Sequence, residues 1–311
     1  CDALSLHQVS APAIVWQGTG INDDLNGVER AVRFPVKDQK EKIAEVVHSL
    51  AKWKRIRLME YGIKTGEGIL TDMRALRPDE ALSAIHSISV DQFDWESCIR
   101  PEDRNIEFLK ITVSKIYKAL LLTESDLAAS YAIYTAWLPR EIHYIYAEEL
   151  LQRYPDKSPK EREHEIAKQY GAVFIMGIGA KLSDGKKHDG RAADYDDWST
   201  QKDSDYQGLN GDIVLWNPIL KASFELSSMG IRVDKTALMR QLELENCQDR
   251  SALKFHQLLL NDRLPLSIGG GIGQSRLAML LLQKRHIGEV QVSLWSEDIR
   301  EKASKEGFFL L

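Results

Sequence analysis

Between Leu266 and Leu282 the chain reads Leu-Ser-Ile-Gly-Gly-Gly-Ile-Gly-Gln-Ser-Arg-Leu-Ala-Met-Leu-Leu-Leu. A short apolar, strand-like start is followed by four glycines (Gly269, Gly270, Gly271, Gly273), then Arg276 at the entrance of an apolar helix. Glycine lets backbone approach backbone or ligand, since no Cβ intervenes. A helix start offers N–H groups to an anion, and a guanidinium adds a permanent charge with a face that stacks on a base. The stretch therefore predicts a floor for a nucleotide, or else glycines that merely permit tight helix-on-strand packing. Two familiar nucleotide folds are excluded. The Walker loop needs Gly-Lys-Ser/Thr, and no Lys follows these glycines. The Rossmann fingerprint needs a third glycine at position 274, which is Gln, and the 35 residues after Arg276 are too few for the remaining βα units.

A chain of 311 residues with 43% hydrophobic and 28% charged residues has ample material for a core. Its net charge of −5 gives no reason to expect nucleic acid or a membrane surface as partner. No apolar run approaches a bilayer span. Cys1, Cys98 and Cys247 lack metal-ligand spacing and cannot all pair, which suits a reducing, cytoplasmic setting.

Local patterns place several elements. Ser49 is the expected N-cap of a helix that stops at Gly62. Ile106, Leu109, Val113, Ile116 and Leu120 recur at helical spacing. Ser158-Pro159-Lys160-Glu161 is a capping box opening a helix that ends at Gly171, and residues 172–178 read as a buried strand. Residues 85–95 alternate as a strand, and residues 213–216 form another after an Asn210-Gly211-Asp212 turn. The polar stretch between Ser183 and Gly211 lacks periodicity, and loops of that length suggest a closing lid.

Four clusters carry possible chemistry. Asn22-Asp23-Asp24 lies in a turn-forming run, Thr19 to Gly27. Arg77-Pro78-Asp79-Glu80 precedes Asp91 to Glu96, where Gln92 and Asp94 share a strand face. Asp212 and Glu225 are carboxylates on neighbouring strands, a hard-oxygen pair of the kind that holds Mg²⁺ on phosphates. Ser49 and Lys54 sit on one helix. Each has a bland alternative: a hairpin turn, a solvated charged hairpin, strand ends, a cap beside an exposed Lys.

Read together, these motifs resemble the catalytic core of class II aminoacyl-tRNA synthetases. Residues 77–96 look like the second class motif, residues 269–276 like the third, and Pro12 like the tail of the first, whose helix would lie upstream of residue 1. More narrowly, Glu45 to Arg55, Leu76 to Glu80, Val90 to Glu96, Tyr195 to Thr200, Glu225 to Val233 and the glycine run resemble the ammonia-dependent asparagine synthetase family, over nearly the whole chain in consistent order. The resemblance implies an α+β fold, an antiparallel sheet flanked by helices, one catalytic domain over residues 1–311, and a homodimer. It implies L-aspartate, ATP and ammonia as substrates, Mg²⁺ as cofactor, and a β-aspartyl adenylate that ammonia converts to asparagine with release of AMP.

By the same resemblance Arg77 holds the α-phosphate and Arg276 packs on adenine and reaches the γ-phosphate side. Glu80, Glu225, Ser228, Gly271 and Gly273 complete the ATP site, and Asp212 with Glu225 carries the metal. Lys54 and Arg232 are expected to grip the α-carboxylate of aspartate, with Ser49, Gln92 and Asp94 fixing the amino group. Asp23, or failing it Asp24, is expected to take the proton of ammonium. One departure stands out: Val90 occupies the place where many class II enzymes carry an adenine-stacking Phe. Two other readings share the motifs, an aspartyl- or asparaginyl-tRNA synthetase core and a non-catalytic relative acting as a dimeric binding module. The first needs an anticodon-binding domain and a basic face; the second conflicts with retention of Arg77, Arg276, Asp212 and Glu225.

Overall fold

The structure, a computed structural model, describes residues 1–23, 29–201 and 206–311. Its first third runs β1 (Leu6–Gln8), β2 (Ile14–Trp16), β3 (Arg33–Val36), β4 (Lys42–Val46), α1 (Ala51–Glu60), β5 (Gly68–Leu76) and β6 (Ser89–Cys98). Then come α2 (Ile106–Ser130), β7 (His143–Tyr146), α3 (Ala147–Arg153), α4 (Pro159–Tyr170), β8 (Ala172–Met176), β9 (Asn210–Asn217) and β10 (Ala222–Ile231). The last part is α5 (Lys235–Leu244), α6 (Lys254–Leu260), β11 (Ser267–Gly273), α7 (Gln274–Leu281) and α8 (Glu297–Glu306). Eight strands form one sheet in the order β1-β5-β6-β11-β10-β9-β8-β7, and β2-β4-β3 form a small second one. The centre of the large sheet is antiparallel, as expected, while its edge pairs β1–β5 and β7–β8 are parallel. No helix among the described residues is long and apolar enough to cross a membrane.

At the centre of the sheet one face is apolar and the other polar, while toward β7, β8 and β9 the second face also buries Ile145, Val173, Ile175 and Val214 against α3 and α4. Trp95, Ile213, Phe224, Leu226, Met229 and Ile231 pack with the buried stripe of α2. In an unbroken strand Leu226 and Met229 would point to opposite sides. A β-bulge between Glu225 and Ser227 removes that conflict. It keeps Phe224 and Leu226 in the core and turns Glu225 to the face that carries Ser228.

The capping box at Ser158 forms, with Glu161 returning a bond to the Ser158 backbone, and Gly171 ends α4 at φ 76°. Helix α2 runs ten residues past its apolar stripe. Asn105 caps its start, and the buried Glu124 continues the inner face by accepting the Trp137 amide at 3.0 Å. Apolar periodicity cannot see a buried glutamate. Three expectations need correction. The strand expected over residues 85–95 starts at Ser89, because Ser83 and Ser87 hydroxyls accept backbone amides and hold 83–88 in turns. Strand β8 stops at Met176, since Gly177 turns the chain at φ 75°. Residues 210–212 are strand rather than turn: a Cβ on Gly211 would run into the Ile175 carbonyl across the sheet, so this glycine serves close strand approach.

Candidate active site

Register defines a polar row across the sheet. Gln92, Asp94 and Glu96 of β6 face Gly273, Gly271 and Gly269 of β11. Gly271 and Gly269 in turn face Ser228 and Gly230 of β10, which face Asp212 and Asn210 of β9. Helix α1 packs over β5, β6 and β11 at one end of this face and lowers Lys54 onto it.

There the row becomes a buried ion-pair layer. The Lys54 ammonium, fully buried, donates to Asp94 Oδ1 and to the Trp95 carbonyl at 2.8 Å, with Glu96 3.8 Å away. Arg232 forks onto Glu96 through Nε (3.0 Å) and Nη2 (2.8 Å) and donates through Nη1 to Asp196. Ser267 adds a 2.8 Å bond to Glu96. Two cations thus sit among three carboxylates. Burial lowers the Lys54 pKa, with Asp94 and Glu96 opposing it. Burial raises that of Glu96, but Arg232 and Lys54 more than reverse it. Asp94 stays above the ordinary carboxylate value because burial outweighs Lys54, and its Oδ2 has no hydrogen-bond partner. Arg232 uses three of its five N–H groups on these carboxylates.

Beside this layer opens a cavity of about 360 Å³ that reaches from Gln92, Gly271 and Tyr195 to Arg77, Arg276 and Glu225. Glu80, Ser228 and Gly273 also line it, as does Val90. Arg77 donates to the His48 carbonyl at 3.3 Å, while its Nε is buried without a partner. Arg276 ties the 77–88 loop to β10, donating to the carbonyls of Ile85 (3.4 Å) and Glu225 (2.9 Å).

Two parts of the glycine-floor expectation change. Gly269 does not meet the cavity: the Glu96–Arg232 pair lies over it, and a Cβ there would overlap the carboxylate. Gly271 makes room for the Gln92 carboxamide. The start of α7 is not open to an external anion either, since Asp91 accepts the Ser275 amide at 3.0 Å and its hydroxyl. Arg276 contributes through its side chain.

Asp212 and Glu225 lie on the same face of adjacent strands, Glu225 by way of the bulge. Burial pushes the Asp212 pKa up to about 6 despite Arg191, and the Glu225 charge adds to the rise. Burial also pushes Glu225 up, but Arg276, Lys160, Arg191 and His86 hold it below its usual value. The two carboxylates, Asp212 countered by Arg191 and Glu225 by Arg276, offer the hard oxygens that a divalent cation takes. Among the described residues no cluster of three or more metal-ligating side chains exists. Two carboxylates plus substrate phosphates is the donor set Mg²⁺ commonly takes.

Lys54, Asp94, Arg232 and Asp212 are buried behind the cavity wall rather than lining it, and Asp23 and Ser49 are not among its lining residues either. Asp23 is buried, its amide held by Asn22, which also bonds Glu45 and the Val46 carbonyl. Burial first, then the charges of Asp23 and Asp196, raises the Tyr195 phenol well above its ordinary pKa, so Asp23 lies close to that cavity residue. Asp24 and Gly27 fall outside the described residues. Ser49 is not the N-cap, which is Leu50; its hydroxyl accepts the Ala51 amide at 3.2 Å and does not line the cavity.

Of the lid expected between 183 and 211, residues 202–205 lie outside the described residues, and 192–199 are packed into the body. Asp194 is locked by Lys52 (2.9 Å) and His256 (3.1 Å), and Gln241 bonds the carbonyls of Ala193 and Asp196. Residues 192–199 are thereby fixed beneath α5 and α6 partners, leaving 183–186 exposed, with Ser183 bonded to Glu148 and Lys187 to Glu245 at either end. Polar, aspartate-rich composition reads the same whether the carboxylates face water or buried cations.

Glu96, Arg191, His86, Asp196 and Tyr195 join the site or its cavity without a local sequence signal of their own. Glu96 was one step along the Gln92–Asp94 alternation, while the others depend on how 183–211 folds back.

The sequence profile of the aspartate–ammonia ligase family matches residues 1–307. An aspartate–ammonia ligase of Bacteroides fragilis is 57% identical over 308 residues, covering 99% of this chain and 89% of its own length. One from Bacteroides thetaiotaomicron is 56% identical over the same coverage. Among solved structures, asparaginyl-tRNA synthetase of Entamoeba histolytica with asparaginyl-adenylate superposes on 92% of the chain with TM-score 0.64 at 12% identity. The Pyrococcus horikoshii enzyme with asparaginyl-adenylate gives 0.58 at 16% identity over 91%. The chain spans about three fifths of each synthetase, and at such identities the likeness concerns the fold.

Proposed function

The chain belongs to the aspartate–ammonia ligase family, and we propose from the site how it makes L-asparagine from L-aspartate, ATP and ammonia. The observation that carries the reading is the buried layer at the cavity's end. An amino acid is a zwitterion, and this layer offers both signs: unused Arg232 donors beside Lys54, and Asp94 Oδ2 without a partner. Aspartate binds there by its main-chain end. Lys54 and Arg232 take the α-carboxylate, Asp94 takes the α-ammonium, and Gln92 orients the molecule, so the β-carboxylate projects toward Arg77.

A β-carboxylate oxygen then attacks the α-phosphorus of ATP and pyrophosphate leaves. Arg77 stabilises the charge that develops on the α-phosphoryl oxygens. Arg276 reaches the distal phosphates and lends its guanidinium face to adenine, with Glu80, Ser228, Gly271 and Gly273 shaping the pocket. Asp212 and Glu225 hold Mg²⁺, which supplies charge neutralisation on the phosphates. In the second step Asp23 receives a proton from ammonium, the nitrogen attacks the acyl carbon, and AMP departs. The working unit is a homodimer of one catalytic domain per chain, a reading that rests on the class II-like resemblance, and the three free cysteines suit a reducing, cytoplasmic setting.

Aspartate carrying ¹⁸O only in its β-carboxylate tests the chemistry. The product AMP should acquire one ¹⁸O, read by the isotope shift in its phosphorus resonance, without any tRNA. Unlabelled AMP would overturn activation at the β-carboxylate, and a requirement for tRNA would overturn direct amidation.

A further inference from the structure

Arg191 has no place in the chemistry above, yet it lies where the cation would sit. It belongs to the segment between β8 and β9 and lines the cavity beside Glu225. Its Nη2 alone contacts both oxygens of Asp212, equally close to each. Nη1 donates to its neighbour Gly190 at 2.8 Å, and Nε is buried with no partner. This is not the fork-to-fork pairing that makes arginine–carboxylate contacts strong. One nitrogen bisects the carboxylate, the position a chelated divalent ion occupies. Two positive groups cannot share it.

We propose that Arg191 is a resident counter-ion of Asp212, displaced when a divalent cation enters with the nucleotide and then turned toward the phosphates. Before the cation arrives, the guanidinium keeps a buried carboxylate from standing uncompensated beside Glu225. Displacement exposes its donors to the cavity, where the triphosphate supplies acceptors in place of Asp212. Cation loading is thereby coupled to phosphate contact, and the ion binds weakly until both are present. The inference rests on reading Asp212 and Glu225 as the cation pair.

Mn²⁺ titration of the full chain, with free ion read by electron paramagnetic resonance, tests it. Without nucleotide, Arg191→Gln should bind Mn²⁺ about tenfold or more tighter than wild type, the value of one displaced charge-assisted contact. With a non-hydrolysable ATP analogue present, that gain should vanish, because the wild-type guanidinium is then engaged by phosphate. A gain that persists equally with the analogue would reduce Arg191 to simple repulsion and overturn the exchange. An unchanged Mn²⁺ affinity in Arg191→Gln would overturn it too, provided Asp212→Asn loses Mn²⁺ binding. If Asp212→Asn keeps full Mn²⁺ affinity, the cation pair itself is wrong. Should Arg191→Gln fold poorly by circular dichroism, Arg191→Lys decides. Its ammonium covers the carboxylate less fully and should give a gain of a few-fold, and no gain would count against the exchange.

Discussion

Replacing Lys54 by Met separates what the ion-pair layer does for stability from what it does for aspartate. The ammonium is fully buried, bonded to Asp94 and to the Trp95 carbonyl, with Glu96 3.8 Å away. Without it Arg232 alone faces Asp94, Glu96 and Asp196. Removing one partner of a buried pair costs about 3–5 kcal/mol, a large share of the roughly 5–15 kcal/mol that holds an ordinary domain folded. Asp94, already raised by burial, can soften the loss by taking a proton. The urea midpoint should fall accordingly in Lys54→Met. Adding Asp94→Asn should recover much of it, with a coupling energy of about 2 kcal/mol or more. Aspartate affinity, by calorimetry, should drop by about tenfold to a hundredfold in the single variant and remain lost in the double one. A coupling near zero would refute the electrostatic account of the layer. Aspartate affinity unchanged in a folded Lys54→Met would refute the substrate role.

Three further outcomes follow from the same geometry. Gly271→Ala sets a Cβ against the Gln92 carboxamide, the free end of a side chain that borders the cavity, so it should displace Gln92 at a stability cost below about 1 kcal/mol and raise the KM for aspartate. An unchanged KM in the folded variant would refute a substrate role at this position. Asp23→Asn should slow amide formation about 10²–10⁴-fold while leaving aspartate-dependent ATP–pyrophosphate exchange in place; loss of both would move Asp23 out of the ammonia step. Burial, aided by Arg276, lowers His86 to about 4. The unfolded chain therefore takes up a proton the folded one refuses as pH falls from 6.5 toward 4, and stability is lost over that window. The slope stays below about 0.7 kcal/mol per pH unit after allowing for partial exposure. His86→Asn should flatten it in urea unfolding at about pH 7 and about pH 5, and an unchanged slope would refute the cause.

Much of the site was legible from local pattern. The period-two spacing of Gln92 and Asp94 put both on one face, and the glycines opposite them sit on the paired strand. The capping box at Ser158 read correctly because it involves only neighbours in sequence. What was hidden depends on distant partners. Glu225 and Ser228 are three apart, which in a regular strand places them on opposite faces, and only the bulge reunites them. Asp91 fills the start of α7 from another strand. The aspartates of 194–197 are buried by Lys52 of α1, His256 of α6, Arg232 just past β10 and Arg104 in the loop before α2, all distant in sequence. A carboxylate that looks solvated in sequence is reclassified only when its cation is known.

A crystal structure of the chain with L-aspartate and a non-hydrolysable ATP analogue would show which end of the substrate the ion-pair layer holds. The α-carboxylate is expected against Arg232 and Lys54, the ammonium on Asp94 Oδ2, and the β-carboxylate within reach of the α-phosphorus beside Arg77. Aspartate lying the other way round, its β-carboxylate on Arg232, would contradict that orientation.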